Sequence, residues 1–183
     1  IGGVHRAPSY DESADLAELA RTQMMLVCSG AKAILDLRAT AERLDTLGVP
    51  VLGYRNAELQ AFYGAESGIA VTRVDDVATI VATYRAHRAL GRRASLLVVQ
   101  PPPAAFALPG SVVERAVVEG VRESTRAGVR GAAVTPYLLD FVDRATSGRA
   151  RETSLALLEQ NAALAADIAV ALSAALNSAV TSE

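Results

Sequence analysis

Lys32, in VCSGAK at 27–32, is the only lysine among the 18 Lys and Arg residues of the chain. Arginine keeps its charge at every accessible pH and grips anions in a two-pronged fork, so a need for charge alone is met by arginine. An ε-amine has a further capacity: desolvated, it loses its proton and attacks a carbonyl carbon to form an imine. The competing reading is a surface lysine left in an arginine-biased chain, and composition alone favours it. GGVHR at 2–6 puts His5 and Arg6 beside a glycine turn whose amides suit a phosphate, although an ordinary turn explains them as well. SADL at 13–16 sets Ser13 and Asp15 at a helix start, where cap and dipole account for both without a ligand. HxxxH, CxxC and HExxH patterns are absent, so a tightly held metal is not indicated, while a single carboxylate suffices for a hydrated divalent ion. His87, beside Arg85 and Arg88, reads as part of a solvated helix face. Amine plus phosphate site points to sugar-phosphate chemistry through a Schiff base.

These residues need elements to hold them. Residues 13–22 read as a helix with Leu16, Leu19 and Ala20 on one side, and MMLVC at 24–28 as a short buried strand. Gly30 then opens a helical segment through AKAILDL, Thr40 caps AERLDTLG, and Gly48 stops that helix before a strand at 50–54. A strand at 68–74, a helix capped by Asp75 or Asp76 and a buried strand at 95–100 repeat the pattern. Such alternation predicts a layered α/β/α domain with a mainly parallel sheet. Ligands collect at the carboxyl edge of such sheets, where SGAK and QPPP both lie, and the two loops are expected to face one cavity. A helical C-terminal region follows, at 111–128, at 135–148 with Thr135 before Pro136 in the first helical position, and at 152–179. The last helix is apolar over so much of its circumference that it is expected to pack between helices or against another subunit.

At 183 residues the chain is expected to form one domain over its whole length. It is 51% hydrophobic with no apolar run read as long enough to cross a bilayer, so no membrane partner is expected. A net charge of -2 and 4% aromatic residues argue against a nucleic-acid partner. The single cysteine, Cys28, reads as packed, and a cytoplasmic location is expected. Ile1-Gly2-Gly3 reads as a strand running into a turn, so the chain is expected to begin within a larger protein.

Taken together, GGVHR, SADL, CSGAK with ILDL, the strand in LGVPVLGY and TPYLL resemble the pseudouridine-5'-phosphate glycosidase family, in order and spacing, from Ile1 to about Val170. The resemblance implies that Lys32 is catalytic and forms an imine-type adduct with C1 of ring-opened ribose 5-phosphate. It implies that Asp15 approaches a divalent metal, usually manganese, and that Ser13 and His5 help to hold the sugar phosphate. It also implies a homotrimer and a preceding N-terminal portion that carries a glutamate acid/base and a second lysine. This chemistry accounts for an amine where arginine would not serve. A carbon-carbon glycosidic bond has no oxygen leaving group to protonate, whereas an iminium at C1 gives the bonding electrons somewhere to go.

The base end departs from the family. Gln100-Pro101 stands where Asn-Pro is usual, Ser154 stands where the final helix usually brings an asparagine near the uracil, and Ala132 replaces a lysine of some members. Losing a buried partner for the imide edge costs about 1–3 kcal/mol. The expected function is therefore formation or cleavage of a carbon-carbon bond between ribose 5-phosphate and an aromatic aglycone, leaning to biosynthetic C-ribosylation of a polycyclic quinone-like compound, with Ser154 as a substrate-binding residue. The alternatives are a pseudouridine-5'-phosphate glycosidase that releases uracil and an inactive sugar-phosphate-binding subunit.

Overall fold

A computed structural model describes residues 1–6, 11–64 and 67–180. In chain order the elements are β1 (Val4–His5), α1 (Ala14–Arg21), β2 (Met25–Cys28), β3 (Leu35–Asp36), α2 (Leu37–Thr46), β4 (Val51–Tyr54), β5 (Thr72–Val74), α3 (Val77–Ala89), β6 (Leu96–Val99), α4 (Gly110–Arg126), a 3-10 turn at Gly131–Ala133, α5 (Val134–Ala145) and α6 (Arg149–Val180). Four strands make one sheet in the order β2-β6-β4-β5, and every pairing in it is parallel. β1 and β3 pair antiparallel as a separate ribbon.

The pleat of β6 explains the layers. Leu97 and Val99 pack with Leu16 and Leu19 of α1 and Leu44 of α2. Leu96 and Val98, pointing to the opposite face, pack with Ile80 and Val81 of α3 and Leu164 and Ile168 of α6. The layered α/β/α architecture expected from the sequence is the one observed. A third apolar cluster joins Val113 and Val117 of α4, Leu138 and Val142 of α5 and Ala150 of α6 to Ile34, Leu35 and Tyr63. It holds the helical region against the segments that leave the carboxyl edge of the sheet.

Several expectations shift. AKAILDL is not helical: it turns and pairs with β1, because Ala31 and Ala33 to Leu35 are all buried and cannot present one polar helix side. Asp36, not Thr40, caps α2 by accepting from the Ala39 N–H at 3.0 Å. Thr40 is buried in that helix, its Oγ1 donating to Asp36 O and accepting from Val4 N–H. The strand at 68–74 shortens to its last three residues, while Ala70 forms an isolated bridge with Glu58. His87 is half-buried, with Nε2 2.9 Å from Ala94 O, rather than part of a solvated face.

The long helix also corrects the hydropathy reading. Within α6, residues Arg149–Asn177 are long and apolar enough, by length and composition alone, to cross a bilayer. Alanine raises its mean hydropathy without supplying a wide packing face. Leu157, Leu164 and Ile168 pack inward, whereas Leu155, Leu158, Val170 and Leu176 are exposed.

Candidate active site

Lys32 follows β2 at the carboxyl edge, in a loop held residue by residue. Cys28 O accepts from Gln100 N–H at 3.2 Å, Ser29 O from Phe62 N–H at 3.2 Å, and Gly30 O from Ile1 N at 2.8 Å. Lys32 N–H donates to Ile1 O at 3.2 Å, and Lys32 O accepts from Leu35 N–H at 3.0 Å. Gly30 has a φ of 75° and bridges Ala61; a Cβ there would overlap the Gln60 carbonyl oxygen. Glycine is required on both counts.

The Lys32 side chain lines a cavity of about 240 Å³ with Phe62, Tyr63, Leu139, Asp143, Arg151 and Ser154. Phe62 and Tyr63 meet edge to face with ring centroids 4.9 Å apart, and Phe62 holds a φ of 62°, a left-handed conformation unusual for an aromatic residue. Burial pushes the Tyr63 phenol up from its ordinary value, against the hydrogen bond it shares with Ser154, while the charge of Asp143 adds to the upward shift. Ser154 Oγ also donates to Ala150 O at 2.9 Å. Asp143 Oδ1 accepts from Arg151 N–H at 2.9 Å, tying the end of α5 to the start of α6. Cys28 is buried and its thiol is pushed up by desolvation, so it packs rather than reacts.

Ser13 and Asp15 meet the glycine pair. Ser13 Oγ caps α1 by accepting from Asp15 N–H at 3.2 Å, and Asp15 Oδ2 accepts from Gly2 N–H at 2.7 Å. A side chain at position 2 would overlap Ser13, which explains the glycine without any demand on φ. Lys32 is linked to this corner through Ile1. Among the described residues no three His, Cys, Asp or Glu side chains gather as a metal-binding group. Asp15, exposed and with one oxygen engaged, fits a hydrated divalent ion and not one coordinated wholly by protein.

His5 lies elsewhere. It lines a cavity of about 460 Å³ with residues that include Ser124, Thr125 and Leu138. Leu138 lines that cavity and Leu139 the one at Lys32, while His5 itself pairs in register with Leu35, three residues after Lys32. The structure thus brings Lys32 together with Ser154 and Ser13 with Asp15, and puts His5 in a different cavity from Lys32. Arg6 is not a free phosphate ligand: it grips Glu114 with both terminal nitrogens and donates to Ala33 O and Leu35 O.

The expected meeting of SGAK with QPPP takes a different form. Gln100 does not line the cavity; 3% exposed, it sits in a line of side chains that ends on Ser29. Tyr63, Phe62, Asp143, Arg151 and Asn161 were outside the sequence reading. AELQAFY has no helical or strand period, and the one signal in it was an aromatic pair in a chain with 4% aromatics.

The sequence profile of indigoidine synthase A like proteins matches residues 1–171. The chain belongs to that family. Its similarity to pseudouridine-5'-phosphate glycosidases, read above from motifs, is borne out. It is 54% identical to the enzyme of that name from Gemmatimonas aurantiaca over 173 residues, covering 94% of this chain and 56% of the relative. To the one from Herpetosiphon aurantiacus it is 48% identical over 175 residues, with 94% and 58% covered. Among solved structures it superposes on the prealnumycin C-glycosynthase AlnA in complex with ribulose 5-phosphate, with a TM-score of 0.91, 38% identity and 97% and 60% covered. The indigoidine synthase A-like protein of Thermotoga maritima gives a TM-score of 0.85 at 37% identity, with 93% and 56% covered. The chain spans little more than half the length of these relatives.

Proposed function

We propose that the full protein makes or breaks a carbon-carbon bond between ribose 5-phosphate and an aromatic carbon, with Lys32 as the nucleophile. The observation that carries this reading is the sole lysine of the chain, fixed by backbone at the carboxyl edge and facing an aromatic-lined cavity. Lys32 Nζ adds to the C1 aldehyde of ring-opened ribose 5-phosphate and expels water, leaving an iminium. In synthesis an electron-rich aglycone carbon attacks the iminium C1 with a ring electron pair and then loses its proton; with the aromatic ring assisting, the C1–N bond breaks, Lys32 leaves as the amine and the sugar's 4-hydroxyl closes onto C1. In cleavage the same steps run backwards: the C1–O4 bond opens as Lys32 Nζ adds to C1, the aglycone carbon takes a proton, the C1–C pair returns to the ring, and water hydrolyses the iminium to free the sugar from Lys32. Ser13 and His5 are assigned to the phosphate end of the sugar, outside the Lys32 cavity, which neither of them lines. Asp15 is the residue that would hold a divalent ion such as manganese, which when bound supplies charge to polarise sugar oxygens. The acid/base carboxylate is assigned to the portion of the protein outside this chain.

The wall of the cavity favours a flat, largely apolar aglycone. Ser154 donates its one proton to Ala150 O, leaving none for an imide carbonyl, and Gln100 is buried outside the cavity with its amide engaged by Gln160 and Asn161. This supports C-ribosylation of a polycyclic quinone-like acceptor. A second reading, pseudouridine-5'-phosphate cleavage, is favoured by the 54% identity to an enzyme so named.

Intact mass spectrometry of the full-length protein with ribose 5-phosphate and borohydride tests the shared step. One adduct is expected in wild type and none in Lys32→Ala. Wild type without an adduct, yet still binding ribose 5-phosphate, would leave a binding subunit as the better account. Turnover of pseudouridine 5'-phosphate against ribosylation of a hydroxynaphthoquinone then separates the two aglycones.

A further inference from the structure

Four side chains run in one hydrogen-bonded line from α6 to the end of β2. Gln160 Nε2 donates to Gln100 Oε1, Gln100 Nε2 to Asn161 Oδ1, and Asn161 Nδ2 to Ser29 Oγ, each at 2.9 Å. All the donors point the same way, so each bond polarises the next. At the open end Gln160 Oε1 is buried without a partner among the described residues, while Gln100 is 3% and Ser29 2% exposed. An unfilled acceptor is costly where aliphatic side chains could occupy the same volume. Stability alone does not explain the line. Such departures are expected where geometry matters more than stability.

Two of its members, Ser29 and Asn161, adjoin the site. Ser29 precedes Lys32 in the same loop, and its carbonyl is held by Phe62, a cavity residue. Asn161 lies about two helical turns beyond Ser154, so one side of α6 carries both a cavity-wall residue and the donor to the loop. We propose that Asn161 is a positioning residue for Lys32, which acts through Ser29 and is oriented by Gln100 and Gln160. The axial register of α6 then sets the aglycone wall and the nucleophile together. The proposal rests on the reading of Lys32 as nucleophile.

The test is the rate of borohydride trapping of ribose 5-phosphate on the full-length protein, measured against sugar concentration, with melting temperatures alongside. Asn161→Leu and Ser29→Ala are each expected to lower the maximal trapping rate by about 10–100-fold, the range that follows from a displacement of about 1 Å. The half-saturating concentration is expected to stay within about twofold. The double variant is expected to be about as slow as the slower single one, because both break the same link. Trapping at the wild-type rate in a folded variant, or a double variant slowed by the product of the single effects, overturns the proposal. If Asn161→Leu does not fold, Asn161→Ser replaces it in the same cycle. Absence of an adduct in wild type instead removes the nucleophile itself, and the positioning role with it.

Discussion

The loop that carries Lys32 and the wall that faces it are built by opposite means. The loop is fixed by main-chain hydrogen bonds to Ile1, Leu35, Phe62 and Gln100, with Gly30 in a conformation that side chains resist. The wall is made of side chains: Phe62, Tyr63, Leu139, Asp143, Arg151 and Ser154. A main-chain cradle depends less on the surrounding side chains than the wall does, and Asn161 adds a side-chain tie to it at the Ser29 hydroxyl. The departure read at Ser154 falls on the wall, the one at Gln100 falls in the line of side chains that ends on Ser29, and the motif around Lys32 is intact.

The largest effect that would break this contrast is at Gly30. Gly30→Ala needs both a left-handed backbone and displacement of the Gln60 carbonyl, which is itself main chain and cannot rotate away. We expect a loss of about 3 kcal/mol or more in urea unfolding. A midpoint within error of wild type would mean that the loop is free to move, and the cradle would lose its place in the argument.

The wall should respond far less. Tyr63→Phe removes the phenol that bonds Ser154, at a cost of about 1 kcal/mol, and leaves the ring packing in place. It also carries a pH signature. A phenol raised above its ordinary value of about 10 is favoured in its neutral form by folding. Its contribution is therefore complete below pH ~10 and is lost as pH rises through the raised value. Urea midpoints at pH ~8 and pH ~11 should show an alkaline loss in wild type that Tyr63→Phe reduces; equal losses in both proteins would place Tyr63 in contact with solvent.

How far the sequence spoke follows the same division. β2, β4 and β6 were legible because a short apolar run between polar turns has one outcome in an α/β chain. The family was legible in the motifs that hold Lys32, Ser13 and Asp15 because motif spacing is local. The segment after Lys32 was not, since its apolar residues serve a cluster built from α4 and α5, far along the chain. Arg6 looked like an anion ligand for a similar reason: nothing near it foretells Glu114. Tyr63, Asp143 and Asn161 reach the site through tertiary packing, which a local period does not encode.

The smallest effect lies on the cradle side, and it separates charge from geometry there. Glu114 is held below the usual carboxylate range chiefly by its hydrogen bonds to Arg6. The pair is 29% and 55% exposed, so solvent screens it, and Glu114→Gln should cost less than about 1 kcal/mol. A depressed carboxylate stabilises the fold above its unfolded value of about 4.3, and that gain is lost as pH falls through the lower folded value. Wild type and Glu114→Gln should therefore differ at pH ~7 and converge near pH ~3, and 1 M salt should narrow the gap at neutral pH. A gap that persists at low pH and high salt would mean that Glu114 acts by shape, steering Arg6 onto the Ala33 and Leu35 carbonyls, and the cradle would then extend to a side chain.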